Sequence, residues 1–416
     1  MELSNWAGNV TFSTRTLHRP TSVERLQETV AASPSLRVLG TGHSFSPIAD
    51  STEALLTVAD LPRRVELDAA ARTVTVSAGT RFGELTQVLD PAGWALHNLG
   101  SLPHISVGGA AATGTHGSGR HNPTLAAAVA ALEWVTPTGD LVTRARGEEN
   151  FDGSVVTLGA LGVVTALTFD VQPRYELEQR VYENLSLETL RENLLHVLSA
   201  AYSVSVFLTW NQPAAEQIWV KHRVDAGPWP EGDDWLGAKL ADGPRNPVPG
   251  MDPAFTTEQG GVAGPWNERL PHFRLEFTPS SGDELQSEYL VPLDRAAEAL
   301  DVLSGLADRI APLLHVCELR TIAADDLWLS EFYRRDSIAL HFTWHKEPEA
   351  VAPVLRALEE GLAPLGARPH WGKVFSIEPA DVAALYPRFA DAQRLLEAAD
   401  PTGKFRNAFV DRYLFN

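Results

Sequence analysis

The sequence predicts an α+β fold built in two parts, and three observations predict it. The chain has 416 residues, 44% of them hydrophobic. At about 150 residues per domain that suffices for two or three packed units and argues against disorder. Residues 1–170 alternate short β runs with helical segments. Residues 288–362 instead read strand, helix, strand, strand, helix, the pattern of an antiparallel sheet covered on one face by helices.

Taken in order, Thr21 and Glu24 fit a capping box, with Val23, Leu26 and Val30 at helical spacing behind them. Leu36–Leu39 reads as a strand running into GTGHSF. Arg72–Ala78 (RTVTVSA) alternates like a strand. Phe82, Leu85 and Leu89 give a helix an apolar stripe that Pro91 closes. Val163–Val171 is a strong strand. Residues 222–268, rich in Gly, Pro, Asp and Trp, show no sustained period and read as a long loop region over a second domain. Strand signals follow near Phe273–Phe277 and Glu288–Val291. A helix spans Arg295–Ile310, with Leu300, Leu303, Leu306 and Ile310 on one side. The strands Leu314–Thr321 and Ser337–Trp344 come next, then a helix carrying Val351, Leu355, Leu358 and Leu362. There are no repeats and no low-complexity tract.

Composition excludes several functions. Acidic residues outnumber basic ones 53 to 34, a formal charge of −19, which disfavours nucleic acid or an anionic membrane as main partner. The one cysteine, Cys317, cannot form an intramolecular disulfide or a Cys-rich metal site, and reads as a small buried hydrophobe on a strand. The start, MELSNWAGNV, shows no secretory signal. No apolar run reaches about 18 residues, so no membrane helix is predicted. A soluble cytoplasmic protein is the default, and with no visible coiled coil a monomer is too.

Three glycine-dense segments stand out: Gly40-Thr41-Gly42-His43-Ser44-Phe45 after a strand, Ser106–Gly119 (SVGGAAATGTHGSG), and Leu158–Val164. Glycine lets backbone N–H groups approach a ligand, and successive N–H groups make an anion nest suited to a dinucleotide pyrophosphate. Any one segment alone is more simply a tight turn; three together, two of them rich in hydroxyls, favour phosphate binding. A nicotinamide Rossmann site fits poorly, because Phe45 stands where the third glycine should be and Pro47 interrupts the helix. Neither a Walker A motif nor a convincing nucleophile elbow is present. His43 sits in the first nest. Its plain reading is a surface or capping histidine; its sharper one is an imidazole beside a bound dinucleotide, able to bond covalently to a flavin methyl group.

The C-terminal half offers a second constellation. Glu318 and Arg320 are two apart on one strand and share a face; His341 and Thr343 do the same on another. Ile338, Leu340, Phe342 and Trp344 take the opposite, packed face. An acid, a guanidinium, an imidazole and a hydroxyl suit a neutral, multiply hydroxylated ligand, although ordinary ion pairs on a solvated strand explain either pair alone. Lys373, in PHWGK, adds a cation. His341 and His345 have the helical spacing of a zinc site, but on a strand they lie about 13 Å apart. His104, His116 and His121 lack metal spacing, so no metal is expected.

In the same order, LGTGHSF, SLPHISVGGAAATGTHGSG, LGALGVVT, ELRT, HFTW, RPHWGK and DPTGKFRNAF resemble the vanillyl-alcohol-oxidase-type flavoproteins, and within them most closely the alditol (xylitol) oxidases, relatives of the aldonolactone oxidases. The resemblance spans nearly the whole chain. It implies a two-domain fold: an FAD-binding part from residues 1–172 and 373–416, and between them a substrate part, 173–372, with an antiparallel sheet over the flavin ring. It implies that His43 carries covalently bound FAD and that Val38, Leu39, Gly40, Thr41, Gly42, Ser44, Ser101, Ser106, Gly109, Thr113, Gly114 and Thr115 cradle the cofactor. Val164 would hold it through its backbone, and His370 would sit near the ring. Ser101, Glu318, Arg320, His341, Thr343 and Lys373 would line a polyol site. The implied reaction oxidises a terminal primary alcohol to an aldehyde with O2 as acceptor, Arg320 and Lys373 activating the hydroxyl while Glu318, His341, Thr343 and Ser101 orient the others. Where alditol oxidases have alanine before the active-site serine, this chain has Gly100, at a position that governs oxygen access. An aldonolactone oxidase is the alternative in the same class; a non-catalytic sugar-binding protein on the same scaffold is the alternative outside it.

Overall fold

The computed structural model describes residues 2–276 and 282–415. Two antiparallel sheets of unlike size organise the chain. The smaller has five strands in the order Val65–Asp68, Thr73–Ser77, Val163–Asp170, Val129–Val135 and Leu141–Ala145. Beside it Leu17–His18, Leu55–Leu56 and Arg37–Val38 form a short three-stranded parallel sheet.

Among the described residues the larger sheet has ten strands. At its centre Ala214–Arg223, Ser203–Leu208, Leu314–Ile322, Ser337–His345 and Glu284–Pro292 lie side by side, each antiparallel to the next. One face is apolar. Leu319, Ile338, Leu340, Phe342 and Trp344 share a buried cluster with Leu300 and Leu303 of the Ala296–Gly305 helix and Val351, Leu355, Leu358 and Leu362 of the Pro348–Leu362 helix. Fully burying such a side chain contributes roughly 1.5–3 kcal/mol. With that face committed to helices, the alternation of the strands turns the polar residues between them to the other side.

The chain's end returns to its beginning. Trp371, Val382, Phe409, Val410 and Tyr413 pack in one core with Val74, Val76, Leu85 and Phe169. Phe405 packs with Leu26, Val30 and Leu36. The buried Arg37 guanidinium donates to the carbonyls of Ile48, Leu158, Gly159 and Phe405, tying two loops and the C-terminal segment to one side chain.

Several local expectations need correction. The first helix, Val23–Ala32, is capped by Ser22 rather than Thr21, because Ser22 is extended (φ −147°, ψ 162°) and its hydroxyl accepts from Arg25 N–H; Glu24 instead sits in the first turn. The single helix expected over 295–310 is two, Ala296–Gly305 and Ala307–Ile310. Within 222–268, Asp234–Trp235, Ala238–Leu240 and Gly264–Pro265 are strands that extend the large sheet beyond Glu176–Ser186. Two or three residues are too few to show a period. Of the strand expected at Phe273–Phe277, Phe273 makes a lone bridge with Thr256, and Phe277 lies outside the described residues.

Candidate active site

A cavity of about 760 Å3 is bounded by the glycine loops on one side and the polar face of the large sheet on the other. The glycine loops meet closely. A Cβ on Gly40 would lie 2.8 Å from Ser106 Oγ, and the Ser106 N–H donates to Thr41 Oγ1 at 3.4 Å. Only glycine leaves this approach open. Gly42 has φ +69°, the left-handed region, which turns the loop so that His43 follows it onto the cavity wall. The His43 ring is stacked on Trp6, centroids 5.3 Å apart and planes 19° from parallel. Trp6 is itself pinned, its backbone N–H donating to Gly42 O at 2.8 Å. Burial, with His104 and Lys373 nearby, pushes the His43 pKa down to about 4, so the ring is neutral. Its Nδ1 is buried and has no hydrogen-bond partner. Such an orphan atom needs an occupant, and its place on a long glycine-walled cavity fits a flavin dinucleotide.

The opposite wall alternates in charge. Glu318 and Arg320 point from Leu314–Ile322 into the cavity, as their two-residue spacing requires. Arg320 Nη2 donates to Glu288 Oε1 at 2.7 Å, and Nε lies 3.6 Å from Glu318 Oε2. His116 Nε2 is 3.3 Å from the same Glu288 oxygen. All of these side chains are buried. Burial works to raise both carboxyl groups. His116 and Arg320 overcome it at Glu288, and Arg320 with the contact from His272 overcomes it at Glu318, so both acids are held below their usual range. Ser101 Oγ receives a bond of 3.5 Å from Arg320 Nη1.

Gln286 joins the remaining groups. Its Oε1 accepts from Lys373 Nζ and lies 3.1 Å from His341 Nε2. That oxygen can only accept, so the neutral His341 ring carries its proton on Nε2 and presents a bare Nδ1, 3.9 Å from Glu318 Oε2. Burial pushes the His341 pKa down to about 3. Lys373 Nζ lies 5.2 Å from the Phe45 ring centroid. Its surroundings lower its pKa chiefly by desolvation; Arg320 adds to this and Glu288 opposes it. His370 takes a hydrogen bond at Nδ1 from Gly372 N–H, 3.0 Å, and is tilted over His116 at 5.9 Å.

The structure thus brings the expected residues to one cavity. Val38–Ser44, Gly100, Ser101, Ser106, Gly109, Thr113, Thr115, Val164, Glu318, Arg320, His341, Thr343, His370 and Lys373 all line it. Gly114 does not; it turns the chain behind the wall at φ +67°, where a Cβ would lie 2.2 Å from Glu331 Oε2. Sequence reasoning missed Glu288 and Gln286, although their two-residue spacing on a strand was available, and His116, His272, Trp6 and Lys221, for which spacing gave no signal. His116, Glu288 and His370 also offer ligand atoms within 4.8 Å of one another, but His116 and Glu288 are already engaged with each other and with Arg320.

Comparison with known proteins agrees with this geometry. Residues 15–144 match an FAD binding domain and residues 283–413 the D-arabinono-1,4-lactone oxidase family. An alditol oxidase from a Streptomyces strain is 49% identical over 98% of this chain and 98% of its own length. The chain belongs to the alditol oxidase family. More distant relatives of that family include the L-gulono-1,4-lactone dehydrogenase of Mycobacterium tuberculosis, 27% identical over 99% of this chain and 98% of the relative. The L-gulonolactone oxidase of Bos taurus is 25% identical over 100% and 98%. Among solved structures, the cholesterol oxidase from B. sterolicum superposes with a TM-score of 0.80 at 15% identity, covering 99% of this chain and 96% of that one. The alditol oxidase family member described here therefore has the vanillyl-alcohol-oxidase-type fold expected from its motifs.

Proposed function

We propose that this protein is an FAD-dependent alditol oxidase that converts the terminal CH2OH of a sugar alcohol to an aldehyde, with O2 reduced to hydrogen peroxide. The observation that carries the proposal is the alternating acid–base wall of Glu288, Arg320, Glu318 and His341 facing a glycine-walled cavity that fits FAD. FAD, when bound, supplies the hydride acceptor and the path of the electrons to O2.

The chain's residues supply the rest. Lys373, with its lowered pKa, takes the proton of the reacting hydroxyl. Arg320, whose buried Nε makes no hydrogen bond, stabilises the developing alkoxide. Glu318 Oε2 and the bare His341 Nδ1 accept from the remaining hydroxyls, while Ser101 and Thr343 donate or accept. A polyol needs this mixture, because each hydroxyl is both donor and acceptor. His43 is proposed to carry the cofactor covalently, its neutral, unpartnered Nδ1 supporting that role. The proposal takes residues 1–172 with 373–416 as the cofactor part and 173–372 as the substrate part, in keeping with the core that Val382 and Phe409 share with Val74 and Phe169. It takes the enzyme to be a cytoplasmic monomer.

A second reading, oxidation of an aldonolactone, is favoured by the family match over residues 283–413. Peroxide formation with xylitol, sorbitol and gulonolactone separates the two. The proposal expects kcat/KM for an alditol to exceed that for the lactone, and the opposite order overturns it.

A further inference from the structure

Behind Glu318, away from the substrate cavity, lies a buried lysine that the proposed chemistry does not use. Lys221, on the Ala214–Arg223 strand, is 1% exposed. Its Nζ donates to Leu270 O and to Pro271 O at 3.1 Å, and lies 3.2 Å from His272 Nδ1. Burial lowers the Lys221 pKa to about 7 against the pull of Glu318; below that pH it is an ammonium, with three N–H donors and no lone pair. Three acceptors surround this one, so His272 Nδ1 accepts. A neutral imidazole that accepts at Nδ1 carries its proton on Nε2, and His272 Nε2 faces Glu318 Oε1 at 2.9 Å. Phe207 and Trp219 hold the ring edge-on, at centroid distances of 5.5 and 5.3 Å. The ring therefore has one tautomer and one orientation.

We propose that Lys221 and His272 are positioning residues that lock Glu318 in a single pose toward the polyol. One carboxylate oxygen is taken by His272, which leaves Oε2 to the substrate, between Arg320 and His341. The same histidine reaches a second polyol contact through its backbone: His272 N–H donates to Ser101 O at 3.2 Å. Two substrate-facing groups from distant parts of the chain are thus set against each other by one residue. Burial, with Lys221 adjacent, lowers the His272 pKa to about 4, which keeps the ring neutral. A buried ammonium is costly unless fully paired; here the return is a fixed tautomer, which an apolar side chain of similar length cannot supply.

This inference rests on the alditol-oxidase reading. Its test is anaerobic flavin reduction of the holoenzyme by xylitol, which gives an apparent Kd and a limiting rate separately. His272→Leu and Lys221→Met are expected to weaken xylitol binding about 10- to 100-fold, the loss of a hydrogen bond to a charged group, with the limiting rate within about threefold of wild type. His272→Gln keeps an acceptor for Lys221 and a donor for Glu318, and is expected to bind within about threefold of wild type. Wild-type binding in His272→Leu, a His272→Gln no better than His272→Leu, or a loss confined to the limiting rate overturns the proposal. Should Lys221→Met fail to fold, the two His272 variants decide alone. A wild-type flavin that no polyol reduces overturns the functional reading instead, and this inference with it.

Discussion

In the proposed reaction Lys373 takes the proton of the reacting hydroxyl and Arg320 meets the charge that is left. Lys373→Met is expected to slow flavin reduction by xylitol about 100- to 10,000-fold, the usual range for a lost general base; stopped-flow reduction at a near-normal rate would remove Lys373 from the mechanism. The base acts only when neutral. Its pKa is lowered from the ordinary lysine value, so reduction is expected to rise with pH through that lowered value, and the slope is expected to be absent from the residual activity of Lys373→Met. Glu331 makes a separate, structural statement at the same scale. It is fully buried, Oε1 accepts from Trp371 N–H at 3.1 Å, and burial raises its pKa to about 8. The folded chain therefore holds a proton that the unfolded chain releases near 4.5. That contribution to stability is full at acid pH and is lost as pH rises from about 4.5 to 8. Glu331→Gln is expected to flatten the fall in Tm across this window, seen by thermal unfolding at a series of pH values.

At the scale of the element, the strands do two jobs because their two faces are separate. Leu340 is buried in the helix-covered core, while its neighbour His341 faces the cavity. Leu340→Ala is expected to cost about 2–5 kcal/mol of stability, measured by denaturant unfolding, with little change in the polyol preference of the surviving enzyme. The glycine loops make a sharper contrast. Gly40→Ala places a methyl group 2.8 Å from Ser106 Oγ, whereas at Gly100 the nearest atom is 3.7 Å away. Gly40→Ala is expected to lower flavin occupancy of purified protein and Gly100→Ala to leave it unchanged, read from the ratio of flavin to protein absorbance. Elements were legible in the sequence where apolar alternation ran the length of a strand, as in Ser337–His345, and where glycines crowded, as around His43; the strands Glu176–Ser186, Ser203–Leu208 and Ala214–Arg223 of the same large sheet were not read. Short edge strands such as Asp234–Trp235 were not, because two residues carry no period. The partners of the polar face were only half legible. Spacing tells which way Glu318 points, but not that His272, 46 residues away in sequence, will bond it.

At the scale of the molecule, the cavity exists because the glycine loops stand opposite the polar face of the large sheet and the chain's last segment returns to brace the first. Arg37 and Phe405 carry that return through carbonyl bonds and a shared core. In the proposed assignment the cofactor wall and the substrate wall come from different parts of the chain, with Lys373 at the junction. No helix among the described residues is long and apolar enough to cross a membrane, and the reading needs none, since a sugar alcohol and O2 both arrive through water. The most direct test of the account mixes the yellow holoenzyme with xylitol in the absence of oxygen, then admits air. The account predicts that the flavin colour bleaches saturably with xylitol and returns with one hydrogen peroxide formed per flavin reoxidised; a colour unchanged by xylitol, sorbitol and shorter polyols alike would contradict it.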